Sequence, residues 1–143
     1  MNKVISMFDD LITPENLSKS LLKSVFDGAF MDVLVDEDGD LLVKEDITCF
    51  ILISENSKDK IRLLTLFGIN PTVNPSKVLE CVNTINSTYV MTRAFSDSIE
   101  RLAFDYHIYI KGGITKKNLV LAVKYFCSIP RQAVEECARD ILG

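Results

Sequence analysis

Between Arg101 and Thr115 the hydrophobic period of this chain changes, and no other stretch restricts its folding as much. Leu102, Phe104, Tyr106, Ile108 and Ile110 alternate with Arg101, Ala103, Asp105, His107 and Tyr109, which is the two-residue period of a strand with one buried face. The second face is mixed and so meets water or a partner. Gly112 and Gly113 permit a turn at positive φ, Thr115 can cap a helix through its hydroxyl, and a helical pattern follows at once. Leu119, Val120, Leu121, Ala122, Val123, Tyr125 and Phe126 then run almost without a polar break. A stripe facing one sheet would not use all of these, so the helix is either covered on two sides or part of it forms a subunit interface.

Upstream, Thr13 and Pro14 read as the N-cap and first position of a helix that Gly28 stops, with Leu17, Leu21, Leu22, Val25 and Phe26 inward. A strand over 30–35 leads through Asp36-Glu37-Asp38-Gly39-Asp40 into Leu41-Leu42-Val43-Lys44. This acidic run does not match a calcium loop, because Gly39 stands fourth from Asp36 and no glutamate closes the loop. Asp38-Gly39 between apolar runs signals a hairpin turn. Over 47–54 both faces are apolar, with Ile47, Cys49, Ile51 and Ile53 opposite Phe50 and Leu52, as in a strand covered on both sides or central in a sheet. Another strand follows over 61–67.

Asn74 and Pro75 start a second helix, with Val78, Leu79, Val82, Ile85 and Cys81 as its inward stripe. Asn83 and Asn86 are unusual inside a helix, since their amides compete for the backbone; they either mark a binding site or bond the connections at the helix end. A hairpin over 89–110 turns at Ser96-Asp97-Ser98. Two registers remain open, one placing Arg93 with Met91 and Phe95 on the apolar face, the other placing Ala94 and Val90 there. Pro130 ends the third helix, and a short amphipathic helix with Val134, Cys137, Ala138 and Ile141 follows.

The order α-β-β-β-β-α-β-β-α predicts an α+β fold, an antiparallel sheet of five to six strands backed by helices. The 143 residues read as one domain, with its core over about 14–129 and a helical tail over 130–143. A net charge of −4 and the absence of a basic patch beyond Lys116, Lys117 and Lys124 speak against a nucleic-acid partner. Cys49, Cys81, Cys127 and Cys137 lie inside apolar patterns without C-x-x-C spacing, so they read as buried free thiols rather than metal ligands. His107 has no second histidine to join it. The leading MNKVISMFDD lacks the apolar core of a signal peptide, and no run reaches the ~18 apolar residues of a membrane span. The expectation is a soluble cytoplasmic protein with neither metal nor cofactor, and no membrane contact.

Val82-Asn83-Thr84-Ile85-Asn86, then Arg93-Ala94, then an apolar strand closing in Gly112-Gly113-Ile114-Thr115 and an apolar helix ending at Phe126, together with the Asp38-Gly39-Asp40-Leu41 turn, resembles the YbjN-domain family, described as putative bacterial sensory transduction regulators. The resemblance covers roughly 14–129 and implies the fold of type III secretion chaperones, commonly a homodimer, with no catalytic residues. The matching positions are Asn83, Asn86, Arg93, Gly112 and Gly113, expected to be structural more often than functional. The tail after Pro130 matches nothing in that pattern.

Two functional readings follow. The first is a non-enzymatic homodimer that binds protein or peptide segments, resting on the over-apolar third helix, the mixed outer strand face and the implied fold. The second is a small-ligand sensor or enzyme with a pocket near Asn83, Asn86, Arg93, Arg101, Asp105, His107 and Tyr109, since one strand presents Arg, Asp, His and Tyr on alternate positions. Against the second, the chain shows no nucleophile with a base, no phosphate loop and no metal set.

Overall fold

Five antiparallel pairings assemble the main sheet. The computed structural model describes residues 11–97 and 100–143; the leading ten residues and Ser98 of the second hairpin turn lie outside them. The elements are β1 (Leu11–Ile12), α1 (Lys19–Gly28), β2 (Asp32–Val35), β3 (Leu41–Lys44), β4 (Thr48–Ile53), β5 (Lys60–Gly68), α2 (Pro75–Thr88), β6 (Arg93–Ser96), β7 (Arg101–Tyr109), β8 (Ile114–Thr115), α3 (Lys116–Cys127) and α4 (Pro130–Cys137). Six strands form one sheet in the order β2-β3-β4-β5-β7-β6, and β1 pairs with β8 in a separate two-stranded sheet, also antiparallel. The expected α+β fold is present, with β1 and β8 added to the expected order and α4 standing where the helical tail after Ile129 was expected.

Period-2 patterning decides which side each residue takes. Val43, Cys49, Phe104 and Ala94 are buried on the face against which α1 and α2 pack, and the same core takes in Phe26, Ile85, Leu119, Val123 and Phe126 from the helices. At about 25 cal/mol per Å² of apolar area removed from water, these fully buried rings and branched chains dominate the stability of the fold. Ala94, not Arg93, faces inward at 2 % exposure, which settles the β6 register; Val90 remains exposed.

Several local expectations are corrected. The first helix does not start at Thr13-Pro14: Thr13 N–H donates to Asn16 Oδ1 and Asn16 Nδ2 to the Leu11 carbonyl, closing a separate turn. Ser18 is the N-cap, its hydroxyl accepting from Leu21 N–H. Gly28 is not the stop but the last helical residue, and the left-handed position falls to Phe30 at φ 62°. Accordingly β2 begins at Asp32 rather than residue 30. Leu79 is not inward but 66 % exposed, and Val78, Cys81 and Ile85 form the buried stripe of α2. Of the two adjacent glycines only Gly113 takes a positive φ, 92°; Gly39 takes 83° in its hairpin turn. The caps at Asn74 and Thr115 are as expected, accepting from Ser76 and Asn118 N–H.

Candidate functional site

Strand register places one residue from each of six strands in a single transverse row: Leu34, Leu42, Phe50, Leu64, Asp105 and Arg93. This row lies on the face opposite the helices. Antiparallel sheets with one solvated face normally present polar side chains there. Here the β2–β5 half is apolar, with Leu34, Phe50, Leu52, Leu64 and Leu66 only half-buried. The β6–β7 half is charged.

Asp105 sits where the two halves meet. The mixed strand face was expected to meet water, yet Asp105 is fully buried. Its carboxylate accepts from Arg62 Nε at 2.8 Å, from Arg93 Nε at 2.9 Å and from Arg93 Nη2 at 2.7 Å. Burial alone would raise its pKa, but the Arg93 and Arg62 hydrogen bonds and charges outweigh that and hold the carboxyl below its ordinary value. Arg93 also lies over the Phe95 ring, 4.9 Å from its centroid. His107 Nδ1 stands 3.9 Å from Asp105 Oδ2, too far for a hydrogen bond. A carboxylate held by two guanidiniums is a poor proton acceptor, so this set is suited to electrostatic recognition rather than general-base catalysis.

Sequence reasoning grouped residues that the fold separates. Arg93, Asp105 and His107 do come together, in a shallow open depression with Met91, Thr92 and Tyr106. Arg101 instead pairs with Asp97, Nη2 to Oδ2 at 2.7 Å, and Tyr109 is exposed at the far end of β7, opposite Lys60. Asn83 and Asn86 are carried by α2, which packs against β6 from the helical side of the sheet. Asn86 bonds the chain's own backbone: its Oδ1 accepts from Ala94 N–H at 2.8 Å and its Nδ2 donates to Ala94 C=O at 3.0 Å. The amide thus imitates a neighbouring strand and blunts the β6 edge. Asn83 is exposed.

Arg62 was missed. Its signal was a lone charge in the apolar run of β5, facing outward opposite His107. Among the described residues, Asp36, Asp38 and Asp40 are the one group of carboxylates, thiols or imidazoles close enough to share a cation. Asp36 Oδ1 already accepts from Asp38 and Asp40 N–H, closing the hairpin turn. The four cysteines are free, and Cys49, Cys81 and Cys127 are buried. No helix among the described residues is long and apolar enough to cross a membrane.

A family model for YbjN, described as "putative bacterial sensory transduction regulator", matches residues 18–139. No curated protein matches the sequence. Among solved structures, the fold is similar to YbjN of E. coli, described as a putative transcription regulator, with TM-score 0.74 and 15 % identity over 89 % of this chain and 96 % of that one. An uncharacterised protein from Methanothermobacter thermautotrophicus gives 0.60 and 16 %, covering 89 % of this chain and 100 % of the other. The Yersinia pestis type III secretion chaperone SycH, solved in complex with a stable fragment of YscM2, gives 0.52 and 13 % over 82 % and 97 %.

Proposed function

Since this chain belongs to the YbjN family, we propose that it is a non-enzymatic regulatory or chaperone-like protein that works as a homodimer and binds segments of other proteins on the helix-free face of its sheet. One observation carries this reading: half-buried Leu34, Phe50 and Leu64, in one transverse row with the buried Leu42, offer apolar surface ending in the Arg62–Asp105–Arg93 cluster. An apolar tract of this kind on a solvated face marks a binding surface. Such a face takes a segment with apolar side chains along the Leu and Phe tract and an acidic group near the arginines, which outnumber Asp105 two to one. The likeness to a chaperone solved with a protein fragment supports the same reading. The chain acts as one domain over 1–143, in the cytoplasm, without a cofactor.

The test is capture from a cell extract by the full chain and by a Phe50→Asp variant, whose ring is only half-buried. Polypeptides retained by the wild type and lost from the variant are the expected result. Equal retention by both, or retention by neither, overturns the assignment of this face.

A further inference from the structure

Phe30 occupies a position that normally belongs to glycine. The end of α1 is a Schellman motif: Met31 N–H donates to Phe26 C=O and Phe30 N–H to Asp27 C=O, both at 3.0 Å. The accompanying apolar contact is supplied by Met31 and Phe26, exposed 5 % and 0 %. Phe30 is the left-handed residue of the motif, at φ 62°. A bulky side chain there is strained relative to glycine. Nothing in the single chain offsets that strain, because Phe30 is 98 % exposed.

Ala29, the residue before Phe30, lines an apolar groove of about 480 Å³ between α1 and α3, together with Val25, Gly28, Val120 and Leu121. Gly28 deepens it, since a Cβ added there would meet no atom within 4 Å. Lys116 and Lys117 also line it, while the exposed acid Asp32 lies two residues from Phe30; Asp27 is already paired with Lys23, Nζ to Oδ2 at 2.9 Å. An exposed aromatic knob therefore follows directly on a residue that lines an apolar groove, with Asp32 near the knob and two lysines at the groove. That arrangement is self-complementary: two copies related by a two-fold axis fill both holes at once, and the contact closes. It also places the apolar outer surface of α3, where Leu121 is 53 % exposed, under cover.

We infer that the subunits pair by exchanging Phe30 into the partner's α1–α3 groove, leaving the open sheet face free for a bound segment. This rests on the homodimer half of the proposed function. The test is solution mass by light scattering across a dilution series of the full chain, beside Phe30→Gly, Gly28→Gln and, as control, Leu79→Glu on the exposed side of α2. Phe30→Gly suits the left-handed turn, and Gly28→Gln fills open space, so neither threatens the fold, as thermal melting will register. The wild type and Leu79→Glu are expected at twice the 16.1 kDa chain mass, and the two groove variants at once that mass. In a mixture of isotope-labelled and unlabelled chains, p-benzoylphenylalanine at position 30 should cross-link to Val120 or Leu121 of the other copy. A dimer that persists in both groove variants overturns this contact but leaves pairing intact. A wild type that stays monomeric throughout overturns both.

Discussion

Replacing Arg93 by alanine removes two of the three hydrogen bonds that hold Asp105, at 2.9 and 2.7 Å, and leaves only Arg62 Nε at 2.8 Å. A hydrogen bond to a charged group contributes about 1.5–3 kcal/mol. The Arg93 side chain is 60 % exposed, however, and its loss admits water to the carboxylate. Discounting for that, the expected destabilisation is about 2 kcal/mol rather than the full sum. For a domain of this size it lowers the thermal midpoint by roughly 6–10 °C. Urea unfolding at neutral pH checks the value, with an unchanged m showing that only stability has moved. The pH dependence supplies a second, independent reading. Asp105 titrates below its ordinary value in the fold, so its contribution is fully present above the unfolded carboxyl value of about 3.9 and is lost as pH falls through the folded value. The gap between wild type and variant should therefore be constant from neutral pH to about 5 and narrow below about pH 4. An unchanged midpoint at pH 7, or a gap as wide in acid as at neutrality, would refute the account of Arg93 as the carboxylate's main partner.

Three further outcomes follow from individual contacts. Asn86→Ala removes both hydrogen bonds to Ala94 and should cost about 1–2 kcal/mol by urea unfolding; the freed β6 edge should also raise association, read by light scattering. Tyr89 donates to Glu136 Oε2 at 2.7 Å, and its phenol, raised by burial and by that bond, is pushed up to about 12. Ultraviolet titration of wild type against Tyr89→Phe should isolate this step, and Glu136→Gln should bring it down towards the ordinary value. Thiol labelling of the native chain should modify Cys137 first, since it alone of the four is not buried; Cys49, whose thiol is raised by its hydrogen bond with Cys127 and by burial, should react only on unfolding.

The hairpins and two of the three long helices were legible because their signals are local. Asp38-Gly39 sets its turn within the hairpin itself, and Asn74-Pro75 and Thr115 fix helix starts through side chains that bond their own backbone. The first helix misled for the same reason. Thr13-Pro14 is as good a local start as Ser18, and what decides between them is Asn16, whose amide ties Leu11 and Thr13 into a turn beside β8. The choice was made by β1 finding a strand near the other end of the chain.

The candidate site shows where such reading ends. The alternation in β7 placed Asp105 and His107 on one face but could not say what stands opposite. Arg62 reaches Asp105 from 43 residues earlier, and only the β5–β7 register, Leu64 opposite Asp105, brings them together. With the register one residue off, Asp105 would face the helices and the arginines would face away from it. Buried beneath two guanidiniums, a carboxylate that looked like solvent-facing decoration becomes a marker of one register among several that the apolar pattern alone would tolerate, for β4 and β5 carry apolar residues on both faces. A hydrophobic slip of those strands costs little; a slip that strands Asp105 without Arg62 and Arg93 leaves an unpaired buried charge, which is among the most expensive errors a core can contain. The cluster therefore fixes which face of the sheet carries its outward leucines.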